Sequence, residues 1–560
     1  MRNGVHYVAL ELPKTMHSPF ENMLHTNFIP SDAQCDNLRA FLVDPCKELA
    51  GLAEKISQLQ AMLEETTKKH DELKQYVDAH LALLAPMRRL PGDILRAVFV
   101  ETLPSTRNTA ISPTEGPLLV SQVCRVWRST ALTTPRLWGS IHIVIPDHDR
   151  LHRLLDVVTS WLSRSGTVPL AVSVAFSRAW WKVQRRFRYD VSPVFTLLAS
   201  VCRRWKDLEI IWPAEINGVA LSTITSEDVP KLRSMTITMD MDYWFRNQDS
   251  DGPPPLALPF LAAQSLRSFT FDGPCETFPS PILWGSLEYL KLGFICYPER
   301  ISLLWTILPQ YTLLQSCDIS IHVYEGYGEP PSPTEQISLP LLTYLSVTLT
   351  GNMDPFKFFV NWSLPRLASL CIPVGMDDLT MVLRLTHVLV HLDIRAGQMT
   401  SERLVDGLAA MPSLEDLTLR GDTRDDSESF LARLIPSLNG TSLAPTVCPR
   451  LRRIRLADLD RLSDALLVQF VHSRTLGGAH IHNVAPLTYV ACMFERPMEL
   501  DVEPQLRDAI LGGLTMFLSY TTPDQEFSPR APEYSPFKGI QNRAADPYDF
   551  EIAGAEMDSQ

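Results

Sequence analysis

A three-residue apolar pattern recurs along the second half of this 560-residue chain and constrains its fold more than any other feature. The first two apolar residues are three positions apart and the last two are two apart, as in Leu287, Leu290 and Leu292. Ten such triads begin at residues 205, 232, 266, 287, 314, 342, 367, 389, 414 and 451. Most of the intervals fall within the spacing of roughly 20–29 residues that is typical of stacked leucine-rich units.

Each triad predicts a short strand, and helical segments between the triads predict one helix in several of the repeats. These segments are 301–308, 354–362, 377–385, 402–411, 427–434 and 463–472. Strand and helix units stacked side by side predict a mixed α/β fold, an irregular leucine-rich-repeat solenoid with a parallel sheet over residues 205–520. The asparagine that usually follows the third leucine is missing from the triads, and a generic α/β domain with parallel strands stays the alternative.

A heptad pattern over residues 46–86 predicts one long helix. Apolar or tolerated residues alternate at steps of three and four over 49–84, and no proline or glycine interrupts residues 52–85. Thr66, His70 and His80 occupy positions of this heptad stripe that are usually apolar, and they weaken the pattern in its middle. The stripe predicts either a coiled-coil homodimer through residues 49–84 or packing against the rest of the chain. Residues 1–45, which contain several prolines, are predicted to be an extended leader.

Three short motifs follow the long helix within residues 87–140 and predict a compact group of about three helices. They are Leu90-Pro91-Gly92-Asp93-Ile94-Leu95, then Val123-Cys124-Arg125-Val126-Trp127-Arg128, then Thr134-Pro135-Arg136-Leu137-Trp138. A polar, proline-containing loop over 104–117 separates the first two motifs. So small a group cannot bury all of these large side chains internally, and we expect some of them to face a partner.

These three fragments, in this order and behind a long helix, resemble the F-box motif in the form common in mushroom-forming fungi. The resemblance implies binding to a Skp-type adaptor and, through it, to a cullin scaffold. Carried over position by position, it implies one adaptor-binding patch of Leu90, Pro91, Ile94 and Leu95. It implies a second patch of Val123, Cys124 and Trp127. The 104–117 loop is longer than in a minimal F-box, and this departure leaves open how the two helices are placed.

The remaining segments are predicted from their composition. Residues 141–204 are expected to be a linker and a cap for the first repeat, and residues 521–560 a disordered tail. No stretch reaches the roughly 18 apolar residues of a membrane span, so we expect a cytoplasmic or nuclear protein without membrane contact. The formal charge of -13 argues against a nucleic-acid partner, because phosphate binding needs a basic surface.

Motifs for catalysis and metal binding are missing from the sequence. The ten cysteines form no C-x-x-C pair, and no phosphate-binding glycine loop or H-E-x-x-H motif occurs. We therefore expect no cofactor, no metal site and no catalytic residue. The sequence favours a non-catalytic substrate receptor of a ubiquitin ligase, and a non-degradative scaffold is the alternative. Strand positions between the leucines, such as Lys291, Arg453 and Arg455, would select an unknown protein substrate, and their mixed charge suits a protein surface.

Overall fold

A computed structural model gives the fold, and the chain divides into two compact units, Met1–Pro91 and Gly92–Gln560. The structure describes residues 18–146, 148–176, 190–212, 219–239, 256–279, 285–323, 330–351, 353–425, 427–436, 447–459, 461–475, 479, 484–494 and 496–520. The predicted tail over 521–560 lies outside these residues.

The first unit is dominated by one helix, α1 (Asp32–Leu84), which at 53 residues is about 80 Å long. Ser31 begins it with a capping box, because its backbone N–H donates to Gln34 Oε1 at 2.9 Å while its side chain faces the third helical residue. The predicted extended leader is therefore wrong from residue 32 onward. Pro45 lies inside the helix, although a proline there removes one backbone hydrogen bond and usually ends a helix. Short 3-10 turns stand at Glu21–Met23 and Pro86–Arg89.

Three short helices open the second unit. They are α2 (Gly92–Glu101), α3 (Leu118–Val123) and α4 (Arg125–Leu132), and a 3-10 turn at Pro135–Trp138 follows them. The predicted group of about three helices is thus confirmed as local structure. It belongs to the same compact unit as the sheet that follows.

A parallel sheet of 14 strands follows these helices, and its strands lie side by side in chain order. The strands are β1 (Ser140–Ile145), β2 (Leu170–Phe176), β3 (Trp205–Trp212), β4 (Ser234–Met239), β5 (Ser268–Pro274), β6 (Tyr289–Cys296), β7 (Ser316–Val323), β9 (Tyr344–Thr350), β11 (Ser369–Gly375), β12 (His391–Arg395), β13 (Asp416–Arg420), β14 (Arg453–Ala457), β15 (Tyr489–Phe494) and β16 (Thr515–Tyr520). Two further strands, β8 (Ile337–Ser338) and β10 (Trp362–Ser363), pair only with each other.

The ten predicted triads all contribute to strands of this sheet, and their second residues are aligned across neighbouring strands. Leu208, for example, pairs with Met235, which pairs with Phe269. The column continues through Leu290, Cys317, Leu345, Leu370, Leu392, Leu417 and Ile454. Each member is at most 2% exposed, so the triads form a continuous buried core. The mixed α/β fold with its parallel sheet is therefore confirmed.

The sheet extends beyond the triads at both ends. Residues 141–204 were predicted to be a linker and cap, but they contribute β1 and β2, which pair in parallel and continue the sheet. Both strands are mostly apolar and buried on both faces, and they lack the triad spacing. At the other end, β15 and β16 follow the last triad and reach Tyr520.

Helices connect many of the strands. They are α5 (His148–Arg164), α6 (Ser192–Ala199), α7 (Val219–Ser222), α8 (Ser302–Ile307), α9 (Pro355–Phe358), α10 (Thr380–Leu385), α11 (Ser401–Ala409), α12 (Ser427–Leu434), α13 (Asp464–Ser473) and α14 (Arg507–Leu511). Five of the six helical segments predicted between the triads are confirmed, with ends that shift by up to three residues. The predicted helix 354–362 is helical only over Pro355–Phe358, and its last residue begins β10. Three consecutive helices, α11 to α13, pack side by side.

Candidate functional site

The exposed side of α2 carries apolar residues that the rest of the described chain leaves uncovered. Leu95 and Phe99, one turn apart, are 3% and 0% exposed and form the buried ridge of this helix. Ile94 and Val98, also one turn apart, are 46% and 39% exposed. A ten-residue helix with two apolar ridges can turn only one of them into the core. The second ridge is therefore available to a partner.

The junction between α3 and α4 presents a second group of apolar side chains. Cys124 is extended there and caps α4, because its sulfur accepts the backbone N–H of Trp127 at 3.5 Å. Arg128 Nε donates to the carbonyl of Ser121 at 2.8 Å and fixes the angle between the two helices. Val123 lies at this junction and is 56% exposed. The cap and the arginine bond thus hold an apolar corner in solvent.

Trp127 connects the two helical groups. Its ring lies against Phe99 of α2, with ring centroids 4.9 Å apart and an interplanar angle of 59°. Its side chain is half-buried, so one part of the indole packs in the core and the other borders the exposed surface. The tryptophan thereby sets the spacing between α2 and α4.

Trp138, at the end of the third motif, is fully buried and serves the core. Its indole Nε1 donates to the carbonyl of Ala131 at 2.9 Å. Its ring meets Trp161 of α5 edge-on at a centroid distance of 4.8 Å, and the Arg164 guanidinium lies 4.7 Å from the ring centre. These contacts attach the helical group to the first helix of the sheet region.

The long loop over 104–117 lies along the edge strand β1. The carbonyl of Thr109 accepts the backbone N–H of His142 at 2.7 Å, and Ser140 Oγ donates to Asn108 Oδ1 at 2.8 Å. Glu115 holds the loop in this course by accepting the backbone N–H of Ala110 at 3.0 Å. This loop therefore covers the first strand of the sheet.

The predicted adaptor residues differ in their exposure. In the first unit Leu90 is half-buried and Pro91 is exposed. In the second unit Ile94, Val123 and Cys124 are exposed, whereas Trp127 is half-buried and Leu95 is buried. The prediction of a partner contact for Leu95 does not fit this structure. Ile94 and Leu95 are adjacent in sequence, so periodicity alone could not decide which of the two ridges faces the core.

Sequence reasoning also missed exposed residues of this surface. Val98 and Leu119 are 39% and 48% exposed, and Val126 is 67% exposed. A signal existed for Val98, because it stands one helical turn after Ile94. We call Ile94, Val98, Leu119, Val123 and Val126 the apolar surface of α2–α4. With Leu132, they are six of the fourteen exposed large hydrophobic residues described after residue 92.

A second surface lies on the open face of the sheet between β12 and β15 and is strongly charged. The carboxylate of Asp416, which is 5% exposed, contacts three basic side chains: His391 Nδ1 at 3.2 Å, Arg453 Nε at 3.3 Å and Arg455 Nη1 at 2.8 Å. Burial acts to raise the pKa of the Asp416 carboxyl, but the hydrogen bond from His391 and the nearby arginine charges lower it below its ordinary value. Asp416 is therefore held as a carboxylate.

Neighbouring ion pairs extend the charged surface. Arg420 binds Asp393 with two bonds, from Nε at 3.0 Å and from Nη2 at 2.8 Å. Arg395 Nη2 lies 3.4 Å from Asp458 Oδ2. Paired charges of this geometry fix the side chains of the strands in place.

Side chains suited to binding a metal ion are not assembled in the part of the chain that the structure describes. No cluster of three or more His, Cys, Asp or Glu side chains suited to a metal ion occurs among these residues. Burial raises the pKa of the Cys371 and Cys448 thiols to about 12, so both remain protonated at neutral pH. Over the same residues, no helix combines the length and apolar character needed to cross a membrane.

The sequence was compared with protein-family models and with curated proteins. No protein-family model matches this chain, and no curated protein matches it.

Proposed function

We propose that this chain is the substrate-recognition subunit of a Skp-cullin-F-box type of ubiquitin ligase in the cytoplasm or nucleus. In this proposal the helices α2–α4 form an F-box that binds a Skp-type adaptor, and the sheet domain binds a protein substrate. The concentration of exposed apolar side chains on α2–α4 is the observation that supports it most directly. A folded chain rarely leaves such a group in water unless a partner covers it.

The adaptor contact combines predicted and newly located residues. Ile94, Val123 and Cys124 were predicted to contact the adaptor, and all three are exposed. Val98, one helical turn after Ile94, and Val126, in the first turn of α4, add exposed apolar area. Trp127 borders this surface and would be covered further on binding. Leu90 and Pro91 remain predicted contacts from the motif alone. Leu95 acts from beneath, by holding α2 in place.

The sheet domain is proposed to be an irregular leucine-rich-repeat solenoid. Its support is the strand order, since each of the 14 strands pairs with the next one along the chain apart from the small pair β8 and β10. A doubly wound α/β sheet reverses its strand order at a switch point. The generic α/β alternative therefore explains the sheet less well.

The proposal assigns no chemical step to this chain. Ubiquitin transfer would be accelerated because the adaptor and the substrate are held on one protein, which raises the effective concentration of a substrate lysine near the conjugating enzyme. The role is that of a receptor without cofactor or metal.

The long helix α1 is proposed to form a homodimer. Its seam residues Leu52, Ile56, Leu59 and Leu63 are 54–67% exposed, and a second copy of the same heptad stripe would cover them. Sedimentation of the full chain with and without Leu59→Glu and Leu63→Glu tests this. A monomer in both samples contradicts the dimer.

Affinity purification of the full chain tests the ligase role. The wild type should recover the Skp-type adaptor and the cullin together, and the triple variant Ile94→Asp, Val123→Asp, Val126→Asp should lose both. A matched control is Val360→Asp with Val388→Asp, which also replaces valines that are 45% and 49% exposed, but in the sheet domain. Circular dichroism confirms that all variants are folded.

The outcomes separate the hypotheses. Recovery of the adaptor without cullin supports the non-degradative scaffold instead of a ligase. Full retention of both partners by the triple variant contradicts the adaptor surface itself.

A further inference from the structure

The charged face between β12 and β15 contains a cation that its neighbours do not fully satisfy. Arg455 is 9% exposed, and its Nη2 atom is buried without a hydrogen-bond partner among the described residues. Its Nη1 atom donates to Asp416 Oδ1 at 2.8 Å and lies 3.5 Å from Thr418 Oγ1. A buried donor without an acceptor costs free energy, and an incoming acceptor at this place would recover it.

Arg453 adds a second cation to the same place. It stands two residues before Arg455 on β14, so both side chains project from one face of the sheet. The side chain of Arg453 is 40% exposed, and it shares the single carboxylate of Asp416 with Arg455. Two guanidinium groups against one carboxylate leave a surplus of positive charge here, in a chain whose formal charge is -13.

Tyr489 completes the group. It pairs with Arg453 across β14 and β15, and its ring centre lies 5.1 Å from the Arg453 guanidinium and 5.4 Å from that of Arg455. The next position on this face of β15 is Ala491, which pairs with Arg455 and is small. The ring therefore orients both guanidinium groups.

We infer that Arg453, Arg455 and Tyr489 form a binding site for an anionic side chain of the protein substrate, either a phosphoserine or a glutamate or aspartate. The guanidinium forks supply paired N–H donors for carboxylate or phosphate oxygens, and Tyr489 supplies an aromatic contact for the neighbouring residue. Contact with the buried Arg455 Nη2 requires the Tyr489 ring to move, whereas the Arg453 guanidinium is partly exposed already.

The surrounding charges favour a peptide over a nucleic acid. Asp393, Asp416 and Asp458 lie on the same charged face, and a continuous polyanion would meet their repulsion at several points. A peptide can place one anionic residue at the arginines and neutral residues elsewhere. The inference rests on the proposed function and narrows it, because it names the class of substrate segment.

Capture of peptides by the immobilised full chain tests the site. Three degenerate peptide libraries carry a fixed central phosphoserine, glutamate or serine. The wild type should retain the phosphoserine or the glutamate library at least tenfold better than the serine library, and the better of the two identifies the source of the anion. Arg453→Gln and Arg455→Gln should each reduce this preference at least tenfold.

A control variant and a fallback variant accompany this test. Lys291→Gln removes a positive charge from the same sheet face on β6, where Lys291 pairs with Asp318 at 3.0 Å, and should leave the preference unchanged. If Arg455→Gln fails to fold because Asp416 loses its buried partner, the more exposed Arg453→Gln carries the test.

Three results overturn the inference. They are equal retention of all three libraries by the wild type, an unchanged preference in the arginine variants, and tighter binding of a 20-nucleotide single strand through the same arginines. The experiment contains no adaptor or cullin. Its failure together with intact adaptor recovery therefore rejects the anion site and leaves the ligase proposal standing.

Discussion

The sheet is stabilised differently in its N-terminal and C-terminal parts, although the backbone pairing is the same throughout. From β1 to β6 the core is rich in aromatic pairs, such as Trp138 with Trp161 and Phe271 with Phe278. From β13 onward charged groups enter the core. The four buried Asp and Arg side chains that the structure describes are Asp416, Arg455, Asp464 and Arg474.

This difference shows that the pairing register of the strands does not determine which side chains fill the core beside them. The aligned triad residues determine where each strand pairs, whereas the positions around them can be filled by rings or by satisfied charges. Aromatic packing is insensitive to pH, and buried carboxylates are sensitive to it. The two parts of one sheet should therefore respond differently to the same conditions.

The largest expected effect is in the aromatic part. Phe271→Ala leaves a cavity within a cluster in which Phe278 and Phe294 lie at centroid distances of 5.2 and 5.9 Å. We expect a loss of about 4 kcal/mol in the free energy of unfolding. Urea denaturation followed by tryptophan fluorescence measures it, with Val388→Ala, at an exposed site, as a control that should change by under about 0.5 kcal/mol. A loss below about 1 kcal/mol would contradict the assignment of this cluster to a close-packed core.

A somewhat smaller effect is expected for Asp464→Asn in the charged part. Asp464 is fully buried and accepts bonds from Arg496 Nη2 at 2.6 Å, from the backbone N–H groups of Glu499 and Leu500 and from the Tyr520 hydroxyl at 3.0 Å. The amide leaves Arg496 without its counter-ion, and we expect a loss of about 3 kcal/mol. Hydrogen exchange should show the loosening first in β16. Uniform exchange across the sheet would contradict a local role.

Acid should act selectively on the charged part. Burial acts to raise the pKa of Asp416 and of Asp464, yet their hydrogen bonds and arginine partners lower both pKa values below 3.8. A carboxyl with a lowered folded pKa contributes stability above its unfolded pKa of about 3.9, and this stability is lost as the pH falls through the folded pKa.

Hydrogen exchange between pH 5 and pH 2.5 measures this selectivity. We expect protection in β13–β16 to fall before protection in β3–β6, after correction for the intrinsic exchange rates. Asp464→Asn should respond less to acid than the wild type does. Simultaneous loss of protection in both parts would contradict the prediction that acid destabilises the charged part first.

The smallest effect is expected for an exposed charge in the aromatic part. Lys291 pairs with Asp318 at 3.0 Å, but its side chain is 49% exposed. Lys291→Ala should cost about 0.5 kcal/mol or less in the free energy of unfolding, since solvent screens such pairs. A loss above about 1 kcal/mol in the same urea assay would contradict the screening of this ion pair by solvent.

The sequence predicted the strands well because their apolar spacing is imposed by burial. All ten triads lie in or directly before a strand, since a leucine in this pattern can be buried only in that register. It predicted β1 as a strand at residues 141–145 but did not predict β2, which lacks the triad spacing. The start of α1 was also missed, because Pro45 suggested a break that the capped helix tolerates.

The candidate sites could be predicted only in part. Ile94 and Val123 were identified from the motif, but the choice between the Ile94 ridge and the Leu95 ridge depends on tertiary packing. Arg453 and Tyr489 are far apart in sequence and become neighbours through the pairing of β14 with β15. Aligning the residue before each second triad residue would have placed Asp416 beside Arg453, so a usable signal existed.

The loop over 104–117 has a consequence for how such a chain can evolve. The carbonyl of Thr109 in this loop accepts the backbone N–H of His142 on the edge strand β1, so this N–H cannot pair with another strand. Loss of residues 92–139 would remove this cover, and the edge strand would be exposed to pairing with another chain. Selection against such aggregation therefore favours keeping the helices α2–α4 and the sheet on one chain.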